Sequence, residues 1–334
     1  MKKAPVLVAI LLVAVVLVIG AYSLGRPGTP PVQPPPDNAS RAVKGVTLSP
    51  KSFQPADFED FFLKAREAGG LVSWAGDWNE VSNSTSGAPA VVTSLSLTYN
   101  CTPIVEAQFF TQSDGRLLRP LNETTMQNYK EGATTFADRY KPKYLGLGIE
   151  VNVLYEKSPT DFDAFIRLFN ETYDAVKARS PSTKVFTVFQ LEKMKGLSGG
   201  LFGGTNDPSK AEWALLDRFS KSDIAAFTTY PGLIYRDPSE IPAGYYTEIS
   251  LHTSKPIAFT EIGWHTDTSP AGWESSGAEQ AEFVAVFFNL TGSLNKEFSI
   301  WSFLYDQNTI EPFKSMGLYY SNGTAKPAWS EWIR

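Results

Sequence analysis

The sequence predicts an α/β chain folded as a (β/α)8 TIM barrel, preceded by one N-terminal transmembrane helix or signal sequence. Three observations predict it. Strand-like apolar runs recur eight times between Lys44 and Leu304, amphipathic stretches separate several of them, and an uncharged segment precedes them all.

That first segment runs from Ala4 to Tyr22 behind Lys2 and Lys3 and carries no charge. At about 1.5 Å per residue it nearly matches a hydrocarbon core of about 30 Å. The apolar region of a secretory signal is usually shorter, roughly 7–15 residues. Residues 1–25 are therefore read as a signal anchor in preference to a cleaved signal peptide. The positive end stays inside, so the rest of the chain is expected outside the cell, with the membrane as a partner of the N-terminus. Residues 26–43, opening RPGTPPVQPPPDN, read as a Pro-rich linker, because proline locks φ and gives an extended spacer. Asn-X-Ser/Thr sequons at Asn38, Asn83, Asn100, Asn122, Asn170, Asn289 and Asn322 point to a glycosylated surface.

Residues 44–334 are read as the catalytic domain. The strand-like runs are Lys44–Ser49, Gly70–Ala75, Pro103–Phe109, Lys143–Ile149, Lys184–Phe189, Asp223–Thr229, Pro256–Thr260 and Phe298–Leu304. Pro55–Gly69 places Phe58, Phe61, Phe62 and Ala65 at helical spacing and ends in glycines. Thr160–Arg179 and Ser276–Leu290 carry similar stripes, Gly87–Asn100 is a weaker helix, and Trp329 and Trp332 mark a last helix closing the barrel. A doubly wound open sheet is the alternative, but the turn after the first strand, TLSPKSF, is not a glycine-rich phosphate turn. The stretch GLSGGLFGG (Gly196–Gly204) lacks the ending of a phosphate loop and reads as a flexible loop at the barrel mouth.

Composition narrows the chemistry. Lys and Arg total 30 against 35 Asp and Glu, a formal charge of −5, with no long basic run to grip nucleic acid. One cysteine, Cys101, excludes an internal disulfide framework, and two histidines, His252 and His265, leave little for a zinc site. Catalysis would then rest on carboxylates, hydroxyls or a bound cofactor. Aromatic residues reach 13%, a rich share.

Barrel chemistry sits where strands end. Glu150 follows the fourth strand (YLGLGIEVN) and Glu261 ends the seventh (PIAFTEIGW). Strands four and seven face one another across a small barrel. A protonated carboxyl opposite an ionised carboxylate is what glycoside hydrolysis requires. Trp74, Asp77 and Trp78 follow the second strand, and Gln190 and Glu192 end the fifth. Trp264 and His265 follow Glu261, and Asp306 follows the eighth strand. Glu106, inside the third strand, is the rival carboxylate and is assigned to structure or to substrate hydrogen bonding.

This order resembles the clan-A retaining glycoside hydrolases. TEIGW is similar to the nucleophile segments of endo-β-1,4-galactanases and of cellulase-like and β-1,3-glucanase-like members. TTYP (Thr228–Pro231) resembles the stretch whose Tyr sits beside the nucleophile, and Trp301 in SIWSFLYD the strand-eight Trp beneath the sugar. The resemblance implies Glu150 as acid/base, Glu261 as nucleophile, Tyr230 as its hydrogen-bonding partner and Trp301 as a sugar platform. Trp74, Trp78, Asn152, Gln190 and Trp264 are further expected substrate contacts. Ile149 stands where the family keeps Asn before the acid/base, with Asn152 two positions beyond Glu150. No Arg lies near the end of strand two. The resemblance implies an extracellular enzyme cleaving a β-linked polysaccharide or oligosaccharide by double displacement, without metal or organic cofactor. A catalytically inactive carbohydrate-binding surface protein and a transglycosylase remodelling surface glycan are the alternatives.

Overall fold

The structure, a computed structural model, describes residues 43–334. The expected anchor, the linker up to residue 42 and the sequon at Asn38 lie outside the described residues. Among the described residues no helix is long and apolar enough to cross a membrane. None of the six described sequon asparagines is buried.

The strands are β1 (Lys44–Thr47), β2 (Leu71–Asp77), β3 (Thr102–Gln108), β4 (Tyr144–Leu147), β5 (Lys184–Phe186), β6 (Val188–Gln190), β7 (Ala225–Thr229), β8 (Ile257–Ile262) and β9 (Lys296–Trp301). Every pairing is parallel, in the order β5-β4-β3-β2-β1-β9-β8-β7-β6. β5 and β6 are the two halves of one expected run, parted at Thr187, so the two ends of the sheet are the same stretch of chain. The Thr187 hydroxyl and the Val188 N–H both donate to the Gly148 carbonyl, at 3.2 and 3.1 Å. The barrel closes there, with eight strand positions.

Around it lie α1 (Pro55–Glu67), α2 (Trp78–Ser82), α3 (Ala88–Thr98), α4 (Glu123–Tyr140), α5 (Val151–Lys157), α6 (Pro159–Arg179), α7 (Leu191–Met194), α8 (Leu215–Arg218), α9 (Gly277–Leu290) and α10 (Pro327–Ile333). The weak helix expected from Gly87 is α3, and the last helix is α10. The sequence reading named no helix between β3 and β4, where α4 runs. Its buried face carries Tyr129, Ala133, Phe136 and Ala137 at helical spacing, with Met126 and Tyr140 packed beside them, so the stripe is present in the sequence. Its start is also capped, the Asn122 side chain accepting from the Thr125 N–H at 2.9 Å.

The sheet separates two apolar regions. Outside, α1 and α9 seal Phe61, Phe62, Phe283 and Phe287 against the strands. Inside, Leu71, Ile104, Tyr144, Phe186, Val188, Ala226, Ala258, Phe298 and Ile300 plug the lumen. Side chains alternate across a strand with period two, so the next inward positions toward the carboxyl ends are Ser73, Glu106, Gln190, Thr228 and Ser302. The apolar plug thus gives way to a polar layer at the mouth.

Candidate active site

Two backbone irregularities aim the two central carboxyls. β4 stops at Leu147, two residues short of the expected run, because Gly148 takes φ +82° and Glu150 φ +56°. A left-handed non-glycine residue is costly and needs surroundings that hold it. The Gln108 side chain supplies one hold, accepting from the Ile149 N–H at 3.2 Å and donating to its carbonyl at 3.0 Å. In β8, Phe227 pairs with Phe259 but Thr228 pairs with Glu261, so Thr260 is an extra residue. This bulge restores the inward phase three residues after Ala258.

Glu150 and Glu261 meet around Thr228. Thr228 is the register partner of Glu261, and its hydroxyl donates to Glu150 Oε1 at 2.6 Å. Gln190 Nε2 reaches the same oxygen at 3.3 Å. Tyr230 donates its hydroxyl to Glu261 Oε2 at 2.5 Å, and Ser302, 2.9 Å from the Tyr230 hydroxyl, is placed to donate in turn. Both partners given for Glu150 fall on Oε1, which leaves Oε2 to carry a proton. Oε2 of Glu261 is held, which leaves Oε1 to face a reacting atom. Glu106 completes a triangle of carboxyls: Ser73 donates to its Oε1 at 2.6 Å, and its Oε2 is buried without a hydrogen-bond partner.

The electrostatics are unequal. Burial raises Glu150 to about 8, the Glu261 charge adding to the rise and the Thr228 hydroxyl opposing it. Burial raises Glu106 to about 8 against the Ser73 hydrogen bond, with the Glu261 charge adding to the rise. Burial raises Glu261 less, to about 7, because Tyr230 stabilises its charged form. Tyr230 itself is held far above the usual phenol range by burial and by Glu261, so it remains a donor. Glu261 therefore ionises first, and its charge keeps protons on the other two. If Glu261 must be ionised and Glu150 protonated, the rate falls below about pH 7 and again above about pH 8. A bell-shaped kcat/KM profile with its maximum between those limbs is expected. A maximum near pH 5 would contradict this environment.

The other expected contacts divide sharply. Gln190 stands beside Glu150 with its Oε1 buried and unpartnered. The four tryptophans are corrected. Inward positions in β2 are Leu71 and Ser73, so Trp74 points outward, its indole filling the space a side chain at Gly76 would need. Trp78 packs on Tyr129 and under the Arg119 guanidinium. Trp264 stacks on Phe283 and donates to Ser275 Oγ at 3.0 Å. Trp301 follows inward Ile300, so it too faces the helices, donating to the Met316 carbonyl at 2.8 Å and packing on Trp332. All four lie in the outer core. Asn152 is also turned away, its amide closing a two-bond bracket on the Gln190 backbone, 2.8 and 3.1 Å.

Asp306 is ion-paired with Lys326 at 2.6 Å, and His265 is tied to the Trp273 carbonyl at 2.7 Å. Ile149 belongs to the apolar lining of the lumen. Among the described residues no Arg stands at the end of β2; Arg119, from further along, forms a two-pronged pair with the strand-end Asp77, at 2.7 and 2.9 Å. The glycine-rich loop is packed over its first half, where Gly196 and Gly199 are buried and the Gly199 N–H donates to Asn206 at 2.7 Å, and is exposed at Gly200, Gly203 and Gly204. Ser73, Gln108, Thr228 and Ser302 were not singled out from the sequence as site residues. Their signal was present as polar residues two or four positions beyond each lumen-plugging one.

No family model and no curated protein matches this chain. Solved structures do match. A family 39 glycoside hydrolase from the gut symbiont Bacteroides cellulosilyticus WH2 superposes with a TM-score of 0.61 at 17% identity, over 87% of this chain and 62% of its own length. A GH5_18 structure from Streptomyces cattleya, in complex with Manβ1-4GlcNAc, gives 0.64 at 15% identity, over 88% and 79%. A β-D-glucuronidase from Dictyoglomus thermophilum gives 0.58 at 14%, over 87% and 50%. The chain spans less than two thirds of the first two structures it matches, 62% and 58%. At these identities the likeness establishes a shared barrel fold with solved glycoside hydrolases.

Proposed function

We propose that residues 44–334 form a retaining glycoside hydrolase that acts outside the cell on a β-linked polysaccharide or oligosaccharide. One observation carries the reading. Two carboxyls of unequal proton affinity flank Thr228 at the carboxyl ends of facing barrel strands, each held by hydroxyl donors on one oxygen. Glycosidases of solved structure share the fold.

In the first step Glu261 Oε1 attacks the anomeric carbon while Glu150 passes its proton to the leaving oxygen, giving a glycosyl ester on Glu261. As the negative charge of Glu261 is consumed by the ester, Glu150 loses the neighbour that held its proton. It can then act as the base that takes a proton from water, and the hydroxide oxygen displaces Glu261. Tyr230 stabilises Glu261 whenever it carries charge, at the start of the cycle and at its end.

The lining also bears on the sugar. Among the described residues, no Lys or Arg forms a salt bridge with Glu106, Glu150 or Glu261. A carboxylated sugar would bring a second negative charge beside ionised Glu261, and the cation acting on the cluster, Lys193, is already paired with Glu156. A neutral unit of the kind in Manβ1-4GlcNAc suits it better than a glucuronide. Gln190 Oε1, buried and unpartnered beside Glu150, offers a polar atom that a sugar hydroxyl would satisfy.

Residues 1–25 would tether the enzyme to the membrane from which the Pro-rich linker projects it. The test is reducing-sugar release by the soluble fragment 44–334 from β-1,4- and β-1,3-glucans, galactans, mannans and xylans, with a uronide polymer as the disfavoured substrate. Release from a neutral polymer supports the reading. Binding of a glycan without release would identify the inactive carbohydrate-binding protein instead, and preferred cleavage of the uronide would refute the charge argument.

A further inference from the structure

Both hydroxyl donors that hold the reacting carboxyls start from the end of one strand, β7: Thr228 bonds Glu150 and Tyr230 bonds Glu261. What fixes that end is a buried carboxyl on the neighbouring short helix α7. Glu192 Oε1 accepts from the Thr229 hydroxyl at 2.9 Å, from the Tyr230 backbone N–H at 2.9 Å and from the Tyr245 hydroxyl at 2.7 Å. Glu192 is fully buried, and its Oε2 has no hydrogen-bond partner. Burying a carboxyl is expensive unless its oxygens are used. Here one oxygen collects three donors, two of them on the consecutive residues Thr229 and Tyr230.

We propose that Glu192 is a positioning residue for the glycosidase reaction, a clamp that sets the direction of Tyr230 and through it the proton affinity and aim of Glu261. The inference rests on the reading of Glu261 as nucleophile but concerns a residue that touches no substrate. Tyr230 takes an unusual conformation at the strand end, φ −135° and ψ 70°, as β7 turns into a short 3-10 helix. The amide held by Glu192 and the ring that reaches Glu261 belong to the same residue. A shift of the amide swings the phenol, whose hydrogen-bond partners among the described residues are Glu261 and the Ser302 hydroxyl.

The titratable groups around the clamp are Tyr230 just past β7, Tyr235, Tyr245 and Tyr246 on the following segment, and Glu150 across the strand ends. Lys195 on the same segment of chain is committed elsewhere, to the Tyr245 carbonyl and to Glu248. None of these supplies Tyr230 with a second backbone anchor. What the clamp requires of residue 192 is an acceptor oxygen at the right reach, not a negative charge.

That distinction gives the experiment. In the chain 44–334, Glu192→Gln keeps an acceptor oxygen at the same distance, Glu192→Asp withdraws it by one methylene, and Glu192→Leu removes it. Two readouts are taken, the acidic limb of kcat/KM and, independent of turnover, the carbon-13 titration of the Glu261 carboxyl. Glu192→Gln is expected to stay within about twofold of the parent, with Glu261 titrating where it did. Glu192→Asp is expected to lower kcat about tenfold with little change in KM, and to move the Glu261 titration and the acidic limb to higher pH, because a displaced Tyr230 no longer favours the carboxylate. Glu192→Leu should repeat the Asp result more strongly where it folds.

A Glu261 titration unchanged in the Asp variant, with the fold intact by circular dichroism, overturns the clamp. Loss in Glu192→Gln equal to that in Glu192→Asp overturns the acceptor role in favour of charge. If no glycan is cleaved at all, the hydrolase reading fails, while the titration still decides the clamp.

Discussion

Glu261→Gln is expected to lower kcat/KM on the cleaved glycan by at least about 10³-fold, with the polymer still bound. The amide preserves the shape of the side chain and still accepts from Tyr230 at one oxygen, so the barrel mouth is retained. It cannot form the glycosyl ester, and it cannot supply the charge that holds a proton on Glu150. The loss should therefore appear with every substrate, whatever its leaving group. A variant retaining a tenth of the parent rate would show that Glu261 is not the nucleophile. Steady-state rates beside a binding isotherm for the same glycan make the measurement.

Glu150→Ala is expected to behave differently, and the difference identifies its role. For an unactivated glycan, losing the general acid should cost about 10²–10⁴-fold. For an aryl glycoside whose leaving group needs no proton, the first step should survive and the glycosyl enzyme should accumulate. Azide, which needs no base, should then restore turnover and yield a glycosyl azide of retained configuration. The basic limb near pH 8, set by the Glu150 proton, should vanish in this variant while the acidic limb of Glu261 persists. Equal loss on both substrates, with no response to azide, would remove Glu150 from the acid/base role.

The barrel was legible because its strands are apolar runs of the expected length and spacing, and parallel strands covered on both faces read in that way. The same property hid the orientation of individual side chains. In VSWAGD nothing local says whether Ser73 or Trp74 enters the lumen, since both faces of β2 are buried. The tryptophans attracted attention as sugar platforms, yet a large indole is the residue best suited to filling the gap between sheet and helices. Trp74, Trp78, Trp264 and Trp301 all do so. Polar residues of modest size, Ser73, Thr228 and Ser302, occupy the inward places instead.

Glu150 and Glu261 could be placed at the barrel mouth from the sequence because strand ends are where a barrel exposes side chains, and those positions survive errors of a residue or two. Their aim depends on features no periodicity carries, the left-handed Glu150 and the bulge at Thr260. The Arg119–Asp77 pair and the Glu192 clamp join residues 42 and 37–53 positions apart. Such pairs become visible only when the sheet is assembled. α4 is a different case, since Met126, Tyr129, Ala133, Phe136, Ala137 and Tyr140 form a stripe at helical spacing that was legible in the sequence.

In the proposed mechanism Glu261, rather than the neighbouring Glu106, forms the covalent bond to the sugar. Once the panel has named the glycan, the 2-deoxy-2-fluoro aryl glycoside of its sugar unit slows both steps and lets the ester accumulate. Proteolysis and mass spectrometry then locate it. One added sugar mass is expected on the peptide containing Glu261, absent from Glu261→Gln and present in Glu106→Gln. A label on Glu106, or turnover of the glycan to inverted product with no label, would contradict it.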